Sequence, residues 1–258
     1  VVTRRDARSS SRQLRPSWTN RIQISFSAAN FFFGKKPQVL LNNIPALKEM
    51  DIRVLVYLRR QDHFLESLYA QLAKFRLIGS VEEFLRDRNH AAPNYLKILD
   101  TWKLAASQVI PVVFEGELLI GNDLIQDFMT RIGYANIMAD MKIAKRANRL
   151  VNALRLQILQ EFFRAGFSQV PRRERSKLEA VLDETSHEPA PRMRREDREK
   201  VLENASAINK AICQQYLPLQ DQLFSSDLTA DPSKQATGEL SDEQLAELRH
   251  VIALIKNG

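Results

Sequence analysis

The sequence predicts an α/β fold, a parallel sheet with flanking helices and a helix-rich C-terminal half. Three observations carry this. "IRVLVYL" (52–58) and "VIPVVFE" (109–115) are short, β-rich and nearly apolar throughout, as strands covered on both faces must be. The text between and after them repeats apolar residues at helical spacing. Only 8 glycines occur in 258 residues, and glycine is costly inside helices, so a helix-rich chain is favoured.

The elements follow in order. Residues 1–20 are Arg/Ser-rich with little periodicity and read as a basic flexible arm. "RIQISFS" (21–27) alternates as a strand, and "AANFFFGKKP" breaks at Gly34 and Pro37. "PQVLLNNIPALKEM" (37–50) reads as a short helix interrupted near Pro45. After the strand at 52–58, Asp62 is placed to cap a helix whose Phe64, Leu65, Leu68, Leu72 and Phe75 share one face. Ser80 and Glu83 make a capping box ahead of "VEEFLRDR". "NYLKILDTWKLAA" puts Leu96, Leu99 and Trp102 on one side, and "NDLIQDFMTRIG" is a helix closed by Gly133.

From about residue 141 the text is almost wholly helical. Ile143, Ala147, Leu150, Val151, Leu154, Ile158 and Phe162 form one stripe. "SKLEAVLDE", "DREKVLENASAINKAICQQYL" and the capped "SDEQLAELRHVIALIK" follow, with a polar linker before the last. The organisation expected is an arm (1–20), one α/β domain with a helical C-terminal part (21–225), then a linker and C-terminal helix (226–258).

The net charge of +7 is unevenly placed. Residues 1–36 carry eight Lys/Arg against one Asp, and residues 141–200 carry 15 basic against 9 acidic groups. This distribution suits polyanions, and equally a solvated basic surface. Cys213 is the one cysteine, which excludes an internal disulfide and any cysteine-based metal cluster, and fits a cytoplasmic location. The four histidines have no ligand spacing, so no metal site is expected. No apolar run reaches the roughly 20 residues of a membrane span, and the first residues hold no apolar signal segment. The chain starts at Val1, which leaves open processing, a non-standard start or truncation.

The chemistry concentrates in "VLVYLRRQDHFLESLY" (54–69). An arginine at a strand's carboxyl end and a serine two turns along the next helix, Arg59 and Ser67, could both reach a phosphate. A surface arginine and a serine bonded to its own backbone satisfy the same spacing. His63 could contact an anion or simply sit at a helix start. His90 lies in a loop, Glu115 and Glu117 flank Gly116 after a strand, and Cys213 and Phe31 to Phe33 read as packed.

The segment resembles the part of the PAPS-dependent sulfotransferase superfamily that binds the 3′-phosphate of 3′-phosphoadenosine 5′-phosphosulfate (PAPS). Its "RRQD" and "ESLY" are similar to the bacterial, carbohydrate-type branch. "NYLKILDTWKLA", "VIPVVFEGE", "DLIQDFMTRIG" and "ENASAINKAICQQYL", with Asn209 and Tyr216, extend the likeness over about residues 22–225. The resemblance implies a P-loop NTPase-like sulfotransferase fold, N-terminally incomplete. It further implies that Arg59 and Ser67 bind PAPS and that the acceptor is a hydroxyl on a glycan or similar molecule. No metal is implied.

Two departures follow from the same comparison. No Gly-x-x-[Lys/Arg]-[Ser/Thr] phosphosulfate loop precedes "RIQISFS", and Ala29 in Ser27-Ala28-Ala29-Asn30 stands where the branch reads glutamate. Three or four lost hydrogen bonds to a charged group, at about 1.5–3 kcal/mol each, remove on the order of 5–10 kcal/mol, several decades of donor affinity. A lost general base costs a further ~10²–10⁴-fold. The expectation is therefore a sulfotransferase-family protein with activity weakened or lost. The alternative is a non-catalytic polyanion- or protein-binding module of the same fold, using the basic arm. A missing strand would leave a sheet edge, which predicts a homodimer.

Overall fold

The computed structural model describes residues 23–25, 37–87, 91–136, 153–167, 193–226 and 242–257. The basic arm, Phe31 to Phe33, His90, the "SKLEAVLDE" helix and most of the linker lie outside them. The chain divides into two compact units, one of residues 1–56 and 100–142 and the other of residues 57–99 and 143–258. The architecture is mixed α/β and rich in helix.

The first unit holds a small sheet. Strand β1 (Gln23–Ser25) pairs in parallel with β2 (Arg53–Leu58), Gln23 opposite Arg53 and Ser25 opposite Leu55. Strand β3 (Gln108–Val113) lies on the other side of β2. As the middle strand, β2 is apolar without alternation, and Val54, Leu55, Val56 and Leu58 are all buried. Ser107 holds the start of β2, since its backbone N–H (2.8 Å) and its hydroxyl (2.9 Å) both donate to the Ile52 carbonyl.

Around this sheet the predicted breaks fall where sequence placed them. Helix α1 (Pro37–Asn43) gives way to a 3-10 turn, Pro45–Glu49, with Pro45 at its start. Helix α5 (Leu124–Arg131; α2 to α4 follow below) is capped by Asp123, whose carboxylate accepts from the N–H groups of Ile125 and Gln126. Gly133, at φ 84°, closes that helix in the left-handed region. Asp127 is fully buried and accepts from Ile120 N–H (3.0 Å) and Arg131 Nε (2.6 Å).

The second unit is helical beyond the end of β2. It contains α2 (Gln61–Ala73), α3 (Val81–Arg86), most of α4 (Tyr95–Lys103), α6 (Ala153–Arg164), α7 (Arg195–Tyr216) and α8 (Asp242–Asn257). Leu65, Tyr69, Ala73, Ile78, Phe84, Leu156 and Met193 form its main core, with Tyr69 and Phe84 edge to face at 5.4 Å. Gln160 of α6 closes the C-terminus of α2: its side-chain NH2 donates to the carbonyls of Ala73 and Arg76, and its oxygen accepts from Ile78 N–H at 2.7 Å. Ile252 of α8 packs on Ile158 and Phe162, and Arg249 donates to the buried Glu161.

The Ser80–Glu83 capping box forms in both directions. Three local readings change. Arg60, with no side-chain cap bond, holds the N-cap position of α2, and Asp62 is buried inside the first turn. A carboxylate gains more from guanidinium partners than from a neutral N–H, so tertiary ion pairs override the local cap. Phe75 lies past the end of α2 and is 68% exposed. In α4 the buried positions are Tyr95, Leu99 and Trp102. Among the described residues no helix is long and apolar enough to cross a membrane.

Candidate anion-binding site

The two arginines that end β2 have opposite environments. Arg60 is buried, 4% exposed. Its Nε and Nη2 donate in parallel to the two carboxylate oxygens of Asp62, each at 2.9 Å, and Nη1 donates to the Ser225 carbonyl at 3.2 Å. This is the bidentate fork that guanidinium and carboxylate geometry favours. Arg59 is half-buried, and among the described residues its guanidinium makes no hydrogen bond or ion pair. Burial lowers its pKa, opposed first by Glu66, then by Tyr95 and Asp62, and a guanidinium stays charged throughout.

Helix α7 fixes the start of α2. Arg198 of α7, 2% exposed, meets Asp62 at 3.5 Å and Glu66 at 3.3 Å. Glu66 also accepts from Met193 N–H at 2.8 Å. Gln61 and Asn209 exchange amide bonds, Gln61 donating at 2.6 Å and Asn209 returning at 3.2 Å. Behind the turn, the Tyr95 hydroxyl donates to the Arg59 carbonyl at 2.7 Å, and burial pushes that phenol's pKa up, so the donor keeps its proton. The backbone at Arg59 is thus held, while among the described residues its side chain makes no hydrogen bond or close ion pair and feels Glu66 only through its charge.

Asp62 is the anion at the centre. Burial alone would raise its pKa, but the Arg60 hydrogen bond, with the charges of His63 and Arg60, holds the carboxyl below its usual range. His63 sits beside it, with Nε2 3.1 Å from Arg60 Nη2 and 3.9 Å from Asp62 Oδ2. Burial takes the His63 pKa down to about 4; Asp62 opposes this, and the charges of Arg60, Arg198 and Arg59 add to it.

Ser67 lies in α2 near the end of its second turn and is half-buried, and among the described residues its hydroxyl makes no hydrogen bond. Arg59, directly after β2, and Ser67 therefore sit on one strand–turn–helix unit. The arrangement offers a free guanidinium fork, one hydroxyl and the positive end of a 13-residue helix, which is donor chemistry suited to a phosphate or sulfate group. Glu117 is exposed and Glu115 half-buried on the turn after β3. Cys213 is a buried free thiol, raised by burial. Among the described residues no His, Cys, Asp and Glu group could hold a metal ion.

No family model, curated protein or solved structure matches the chain.

Sequence reasoning missed Arg60, Gln61 and Arg198 as the frame of the site. The signal was present in helical spacing. Arg198 stands seven residues before Ala205 and fourteen before Ile212, both buried on α7, so a charge falls in an apolar stripe. Asp62 likewise precedes Leu65 and Tyr69 on the buried side of α2.

Proposed function

We propose that the chain is a sulfotransferase-family protein in which Arg59 and Ser67 hold the 3′-phosphate of PAPS, for sulfuryl transfer to a hydroxyl of a glycan or similar acceptor. The observation that supports this reading is the division of labour between the paired arginines. Arg60 is consumed by Asp62 and Ser225, whereas Arg59 keeps its donors at the carboxyl end of β2. A strand that ends on two arginines needs only one of them for folding. The other is available for a ligand.

Calorimetry with 3′-phosphoadenosine 5′-phosphate tests the reading. The wild-type chain binds, and Arg59→Ala and Ser67→Ala each weaken binding tenfold or more, at about 1.5–3 kcal/mol per hydrogen bond to a charged group. Absence of binding by the wild type sinks the assignment.

A second reading, binding without transfer, is favoured by Ala29 where the resembled branch carries a glutamate. The basic arm, residues 1–20, would then contact a polyanion or a protein partner. That reading predicts salt-sensitive binding to heparin that Arg59→Ala leaves unchanged and removal of residues 1–20 abolishes.

A further inference from the structure

We infer that His63 is a third donor to the anion held by Arg59 and Ser67, presented as a neutral ring with its proton on Nδ1. The inference rests on the anion-site reading above. A guanidinium has donors and no acceptor. The 3.1 Å contact between Arg60 Nη2 and His63 Nε2 is therefore a hydrogen bond only if Nε2 accepts. Arg60 has no freedom to turn away, because its other bonds run to both oxygens of Asp62 and to the Ser225 carbonyl. An accepting Nε2 leaves the proton of a neutral imidazole on Nδ1.

The neutral form is also the one this neighbourhood favours. Burial works against a charged ring, and the positive charges of Arg60, Arg198 and Arg59 add to it, while Asp62 opposes them. No hydrogen bond engages Nδ1 among the described residues. His63 and Ser67 are four residues apart on one helix, so their Cβ atoms lie about 5–6 Å from each other on one face. Arg59 is near enough for its charge to act on the ring. Guanidinium, imidazole N–H and a hydroxyl able to donate together favour an oxyanion, and Glu66, the carboxylate acting most on Arg59, is itself held by Arg198 and by Met193 N–H. Because the ring is neutral, it adds a bond without repelling Arg59.

Two measurements test this. Nitrogen-15 spectra of the histidine rings, with His63 assigned by its loss in His63→Gln, will show an Nδ1–H, unprotonated Nε2 tautomer at neutral pH. An Nε2–H tautomer overturns the inference whatever the protein binds. Calorimetry with 3′-phosphoadenosine 5′-phosphate supplies the second arm. His63→Ala will lose about tenfold in affinity. His63→Asn, whose amide stands where Nδ1 stood, will retain most of it, while His63→Gln, whose amide reaches only to the Nε2 position, will not. Rescue by Gln and not by Asn would mean that His63 acts only by bracing Arg60. Wild-type binding that Arg59→Ala loses and His63→Ala keeps overturns the donor role alone. No wild-type binding overturns the Arg59 site itself and the donor role with it.

Discussion

Adjacent residues of one type can carry unlike duties, and the second arginine of "RRQD" is the structural one. Removing Asp62 would leave Arg60 buried without its carboxylate and Arg198 with Glu66 only, so Asp62→Ala should cost about 3–5 kcal/mol in chemical denaturation. His63 adds a pH dependence whose sign follows from its depressed pKa. The unfolded chain binds a proton near pH 6.5, while the folded ring refuses it until about pH 4. The contribution is complete above pH 6.5 and is lost as pH falls through that window. Denaturation midpoints should therefore decline between pH 6.5 and 4, and His63→Asn should flatten that decline. A decline unchanged in the variant would show that another group is responsible. Asp62, held low, keeps its contribution above the ordinary carboxylate range and gives it up only on acidification below it.

At the scale of elements, helix ends explain much of the second unit. Gln160 accepts one N–H and donates to two carbonyls at the C-terminus of α2, and at 5% exposure it has no water to replace it. Gln160→Leu should cost about 1–3 kcal/mol, because it strands buried backbone groups; a midpoint equal to wild type would refute that role. Strand β2 was legible because a middle strand needs no alternation, and the run 54–58 supplies none. The Ser80–Glu83 box was legible because both its partners lie within one turn. The cap of α2 was not. Asp62 looks local in sequence, yet its partner Arg198 comes from a helix far along the chain, and only folding brings that charge to it.

For the whole molecule, legibility divides along the same line. Order and kind of element could be read from apolar spacing, since burial of one face sets it. Which arginine stays available could not, because that depends on Ser225 and α7 as well as Asp62. The spacing of Arg59 and Ser67 named a pair, and the folded chain adds that their neighbours are already occupied with one another. The proposed function requires that Arg59 be spared for a ligand. Its most direct test is Arg59→Ala, with binding of 3′-phosphoadenosine 5′-phosphate by calorimetry and thermal unfolding followed on the same preparation. The account predicts an affinity at least tenfold weaker with an unfolding midpoint close to wild type. An unchanged affinity, or a loss of stability like that expected for Asp62→Ala, would contradict it.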